Sequence, residues 1–239
     1  MIEISHLKKF YSKRLIIDDL SFAVKTGSVF GFLGQNGAGK TTTIKMMTGI
    51  AAPDSGTITI GGKDSADIAM RETIGFMPEA PYFYDRLTGL EFLRFCGALF
   101  PRHKSDEAYA QILKDIGIYD ARNRSINTYS KGMKQRLGFA QALVNDPDYI
   151  FLDEPLDGLD PLGRREIKKI ILGLKTAGKT VFFNSHILYD TEEICDEIGL
   201  IHDGKLLYAG GVKEFCKGVP LEQRFVETVE EEARKPVSP

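Results

Sequence analysis

The 239-residue chain carries 31 basic and 33 acidic residues, a formal net charge of -2, and is 43% hydrophobic. A chain of this size can bury one sizeable core, and its near-neutral balance excludes a global basic field that would hold nucleic acid or an anionic bilayer. Three cysteines, Cys96, Cys195 and Cys216, are far apart and without metal-ligand spacing, so neither a disulfide framework nor a zinc site is expected, and a reducing compartment is. No apolar run reaches the roughly 18 residues of a membrane-spanning helix. The opening residues, Met1 to Ile4, lack a basic or apolar leader, so any membrane association is expected to go through a partner.

Short β-branched and apolar runs predict strands at 2–4, 16–24, 29–33, 57–60, 73–77, 149–152, 180–184, 198–201 and 205–208. Continuous runs such as Tyr149-Ile150-Phe151-Leu152 and Thr180-Val181-Phe182-Phe183 suit parallel strands covered on both faces, with helical crossovers at 40–49 and 163–176. That is an α/β sheet. From about 87 to 144 the apolar spacing turns helical, with Leu90, Leu93, Ala98 and Leu99, then Ala108, Ile112, Leu113 and Ile116, then Leu137, Ala140 and Leu143. The expected organisation is one domain, with a sheet core at about 1–84 and 145–225 and an inserted helical subdomain at about 85–144. Residues 226–239, with the run Glu230-Glu231-Glu232 and two prolines, are expected to form a frayed, charged tail.

The strand at 29–33 leads into Gly34-Gln35-Asn36-Gly37-Ala38-Gly39-Lys40-Thr41, which fits G-x-x-x-x-G-K-[ST] and opens a helix. Glycines let backbone N–H groups curl around phosphate oxygens, the helix N-terminus faces the anion, Lys40 reaches the β/γ-phosphates and Thr41 offers a hydroxyl to Mg²⁺. Such a loop needs a fixed metal and an activated water elsewhere. Asp153 and Glu154 follow the buried run at 149–152: Asp153 is the natural Mg²⁺ partner of Thr41, and Glu154 can orient or deprotonate the attacking water.

Thr128-Tyr129-Ser130-Lys131-Gly132-Met133-Lys134-Gln135-Arg136, followed by an apolar helix and the carboxylate strand, resembles the signature motif of ABC ATPases. Asp157-Gly158-Leu159-Asp160-Pro161 after Glu154, and Ser185-His186 after a further strand, continue that family's order. The resemblance implies a P-loop NTPase sheet core of ABC ATPase type with an inserted helical subdomain, and ATP and Mg²⁺ as cofactors. It implies an ATP-hydrolysing subunit that powers transport, chiefly export, through a separate membrane permease at the cytoplasmic face. It also implies two copies packed head to tail, with each ATP between the phosphate loop of one (Gly34, Asn36, Gly37, Ala38, Gly39, Lys40, Thr41, Thr42) and Ser130 and Gly132 of the other. Asp160 would cross that interface, His186 would hold the γ-phosphate and the water beside Glu154, and Tyr11, or else Phe10, would stack on adenine.

Three departures stand out. Glu79 occupies the place of the family's loop glutamine and is expected to reach Mg²⁺; the signature has Tyr129, Lys131 and Met133 at unusual positions; and Asp157 replaces a small residue. Pro81-Tyr82-Phe83-Tyr84 precedes the helical lobe, and these rings are expected to form the surface that docks the permease, the alternative being that Phe83 and one tyrosine anchor the lobe. The alternative is a soluble ABC ATPase of ribosome or DNA machinery; such ATPases usually carry paired cassettes, a zinc insertion or a long coiled coil, none of which is read in this sequence, and nucleic acid is not an expected partner.

Overall fold

The computed structural model describes residues 1–101 and 104–234. Strands β1 (Ile2–Tyr11) and β2 (Arg14–Val24) form an antiparallel hairpin. Ser12 and Lys13, both at left-handed φ (47° and 71°), make its two-residue turn. Burial alternates only over the first residues of β1 and breaks at the irregularities after Ile4, where Ser5 and His6 are both exposed, so its polar half, Ser5 to Lys9, is not legible as strand from apolar runs. Next come β3 (Val29–Leu33), α1 (Lys40–Met47), β4 (Ser55–Ile60), the short β5 (Lys63–Asp64) and β6 (Ile74–Met77). Strand β4 pairs with β1 on the side away from β2, so the predicted strands at 2–4, 16–24 and 57–60 belong to a separate antiparallel sheet, ordered β2-β1-β4-β5.

The lobe follows as α2 (Gly89–Gly97), α3 (Asp106–Asp115) and α4 (Lys131–Ala142). Thr88 and Glu91 form a reciprocal capping box at the start of α2, and Ser105 caps α3. The two Thr88 donors, backbone N–H first and hydroxyl second, hold the Glu91 carboxyl below its ordinary range. Leu93, Tyr109, Leu113, Ile126 and Leu137 share an apolar cluster among these helices. The chain then runs through β7 (Tyr149–Asp153), α5 (Pro161–Thr176), β8 (Thr180–Ser185), α6 (Leu188–Ile194), β9 (Glu197–His202), β10 (Lys205–Gly211), α7 (Val212–Cys216) and α8 (Leu221–Ala233).

The second sheet, ordered β10-β9-β3-β8-β7-β6, is parallel except for β10. Its two faces explain the continuous apolar runs. Phe30, Phe32, Phe151 and Phe182 point toward the antiparallel sheet and α1, where Phe22 stacks on Phe30 and Phe32 at 5.4 Å. Val181, Phe183, Ile150 and Leu152 point the other way, against Ile167 and Ile171 of α5. Every residue of β3 and β8 is buried, so the loops at their carboxyl ends, where the site lies, rest on fixed strands. Among the described residues no helix is long and apolar enough to cross a membrane.

One expectation is corrected. Residues 226–233 are not frayed but complete α8: Leu221 is fully buried, Phe225 packs on the same cluster, and Arg224 pairs with Glu227. The acidic run follows on the helix's exposed side, where Glu230 faces Arg234 four residues on. The remainder of the predicted tail, 235–239, lies outside the described residues.

Candidate phosphate and carboxylate site

Residues 34–41 turn from β3 into α1 beneath a cleft of about 450 Å³. Gly39, at φ +112°, lies so close to Ile17 that a Cβ would overlap its side chain, which fixes glycine there. No side chain caps α1, leaving its first-turn N–H groups for an anion. Lys40 is only 6% exposed; its ammonium donates to the carbonyls of Gly34 (2.8 Å) and Gln35 (3.3 Å) and lies 3.5 Å from Glu154 Oε1. A buried lysine held by its own loop is aimed, not free to snorkel.

The two carboxylates come from the end of β7. Parallel register sets Asp153 beside Asn184 of β8, and the Asn184 amide ties both acids: it donates to Asp153 Oδ1 at 2.6 Å and accepts from the Glu154 N–H at 2.8 Å. Thr41 donates to the same Asp153 oxygen at 3.1 Å. Burial pushes the Asp153 carboxyl above its ordinary range, against the opposing pull of the Asn184 and Thr41 donors. A divalent cation fits here: a threonine hydroxyl and a carboxylate that burial leaves short of compensating charge are oxygen donors of the sort Mg²⁺ takes. Glu154 adopts a left-handed backbone, φ +51°, a costly conformation for a side-chain-bearing residue that aims its carboxylate into the cleft. Its Oε2 lies 2.9 Å from His186 Nδ1 and accepts from the His186 N–H at 3.3 Å.

Asn36, Gly37, Gly39, Lys40, Thr41, Thr42, Glu79, Glu154 and His186 line the cleft, joined by Ile16 and Asp157. Gly34 and Ala38 support it from behind, against Ile201. Tyr11 is 47% exposed, with the Lys9 ammonium 5.4 Å from its ring centre, and does not line the cleft. Ser130, Gly132 and Asp160 are not brought there either; they line a separate cavity of about 430 Å³. Within one chain Ser130 caps α4 by accepting from the Met133 N–H (3.2 Å), and Asp160 caps α5 by accepting from Gly163 (2.7 Å). Tyr129 is buried and donates to the Ala121 carbonyl at 2.8 Å, so it anchors the loop from inside the lobe.

Sequence reading missed three contributors. Asn184 was unremarkable as a polar end to an apolar run, yet it joins the two acids. Gln135 of α4 donates to the Pro155 carbonyl at 3.2 Å, tying the signature helix to the turn after β7. Ile16 supplies an apolar wall. The ring cluster is also corrected. Phe83 is 8% exposed and packs against Phe92 at 5.2 Å inside the lobe, so it is an anchor; Tyr82, at 82% exposure, with Tyr84 and Phe95 forms the outward aromatic surface.

A family model described as ABC transporter matches residues 17–157, from β2 through the carboxylate strand and the turn after it. The chain belongs to the ABC transporter family. It is 47% identical over 199 residues to an uncharacterized ABC transporter ATP-binding protein of Synechocystis, covering 82% of this chain and 56% of that one. To the bacitracin transport ATP-binding protein of Bacillus licheniformis it is 42% identical, covering 87% and 68%. To the lantibiotic transport ATP-binding protein of Streptococcus pyogenes it is 35% identical, covering 94% and 96%. The chain thus spans little more than half the length of the Synechocystis relative. A solved ATP-binding subunit of an ABC transporter superposes with TM-score 0.86 at 29% identity, covering 95% of this chain and 99% of that one. These ABC ATPase folds match the α/β architecture described above.

Proposed function

We propose that the chain is the ATP-hydrolysing subunit of a transporter, binding Mg-ATP in the cleft and driving a separate membrane permease from the cytoplasmic face. The observation that carries this is the joint placement of Lys40, Thr41, Glu154 and His186 around one cleft, with Asp153 buried behind it and bonded to Thr41. Lys40 and the α1 N-terminus hold the polyphosphate. Glu154 takes the proton of the attacking water on the carboxylate that His186 steadies, and His186 presents its other ring nitrogen to the γ-phosphate. Thr41 and Asp153, with Glu79 from the facing loop, would hold Mg²⁺, which when bound neutralises developing charge on the phosphates.

Several observations support the wider reading. Ser130 and Gly132 start a second anion-binding helix end away from the first cleft, a disposition suited to a second copy whose nucleotide it would complete. Tyr82, Tyr84 and Phe95 offer an exposed aromatic surface for a permease segment. Export is favoured because relatives named for bacitracin transport, linearmycin resistance and fluoroquinolone export are 42%, 36% and 40% identical to this chain.

Metal removal and pH test the site together. Chelating the divalent cation is expected to abolish phosphate release by the purified chain. With Mg²⁺ near half-saturation, activity is expected to fall on acidification at a higher pH than for an exposed aspartate, because burial raises the Asp153 carboxyl and its protonation displaces the ion. The sign for metal-free stability is opposite: the Asp153 contribution is present while the carboxyl is protonated and is lost as pH rises through its raised folded value. Chelator-insensitive phosphate release would refute the assignment.

A further inference from the structure

Three charged positions that depart from the family pattern meet on one cavity. Glu79, Lys131 and Asp157 line, with Lys134 and Glu154, a space of about 530 Å³ between the loop after β6, the first turn of α4 and the turn after β7. Lys131 is the first residue of α4, next to Ser130, yet it does not line the cavity onto which Ser130 opens. Its side chain crosses instead to the turn after β7, where its ammonium fills the space that a Cβ on Gly158 would take. At φ +64° glycine is the unstrained residue for position 158, and a Cβ there would force the lysine head to move. A cation at a helix N-terminus opposes the helix dipole, and α4 has no acidic residue in its first turn. Helix stability therefore does not explain Lys131.

The neighbouring residue supplies a reason. Asp157 places Oδ1 3.9 Å from His186 Nε2, on the side opposite Glu154, and both Asp157 and Glu79 also line the phosphate cleft. The cleft thus carries two acids beyond Glu154, each repelling an incoming polyphosphate. We propose that Lys131 is a positioning residue of the phosphate site: its ammonium, seated on Gly158, offsets the Asp157 carboxylate at the edge of the cleft. His186 and Glu154 then meet the polyphosphate without an uncompensated acid beside them. Lysine in the signature and aspartate in the turn after β7 form one charge-balanced unit within a single chain. This rests on the reading that ATP is hydrolysed at Glu154.

The test is a double-mutant cycle on the full chain, with KM for ATP and kcat measured separately for Lys131→Gly, Asp157→Ser and the pair. Lys131→Gly is expected to raise KM about threefold, the small effect of a screened interaction between two solvent-exposed charges on one cavity, with little change in kcat. Lys131→Arg should keep the parent KM, and adding Asp157→Ser to Lys131→Gly should restore it. An unchanged KM in Lys131→Gly, or effects of the two substitutions that simply multiply, would overturn the pairing. Glu154→Gln is assayed in parallel: if it retains full turnover, the hydrolysis reading fails and this unit with it, an outcome distinct from failure of the pair alone.

Discussion

Glu154→Gln is expected to lower kcat by about 10²- to 10⁴-fold, the range for losing a positioned general base, while ATP binding survives. The substitution keeps the side chain's size and its contacts with His186, but removes the oxygen charge that accepts a proton. The same change takes a carboxylate away from Lys40, which lies 3.5 Å from Glu154 Oε1, so the ammonium is left more available to phosphate and affinity is expected to hold or rise. Single-turnover phosphate release with titration of a fluorescent ATP analogue separates the two effects. Unchanged turnover would move the base elsewhere; lost binding would mean that Glu154 supports the loop rather than the chemistry.

Lys40→Ala is expected to weaken ATP binding by about 100-fold, the equivalent of about 2.7 kcal/mol, as two charge-assisted hydrogen bonds disappear. Lys40 is buried against Gly34 and Gln35, and its removal also leaves the Glu154 carboxylate facing the polyphosphate uncompensated. Equilibrium titration of the nucleotide measures this, with thermal unfolding as a control for the fold. Affinity within a few-fold of the parent would show that the loop's N–H groups suffice and that Lys40 acts only after binding.

The parts of the site that are local in sequence are the parts that can be read from it. Gly34 to Thr41 is contiguous because a loop that wraps phosphate must be, and Asp153 and Glu154 are adjacent because both leave the same buried strand. What depends on register is hidden. Asn184 becomes the tie between two acids only because β8 lies parallel to β7 with Asn184 opposite Asp153, and the left-handed backbone at Glu154 leaves no compositional mark. The same limit explains Phe83. Three aromatic rings in a row signal a surface, but which ring turns inward is decided by Phe92 across the lobe. In α8 the acidic residues mislead, since charge on an exposed helical face reads as a tail unless Leu221 and Phe225 are known to be covered. Lys131 and Asp157 are visible one by one as odd residues, and their shared cavity is visible only in three dimensions.

The placement of Ser130 and Gly132 on a cavity separate from the phosphate cleft makes a second copy part of the proposed site, and light scattering of Glu154→Gln tests that most directly. With Mg-ATP, which this variant is expected to hold with little turnover, the mass is expected to double from the 26.6 kDa of one chain to about 53 kDa and to return to that of one chain when ADP replaces ATP. A mass of one chain with ATP bound to every copy would contradict it.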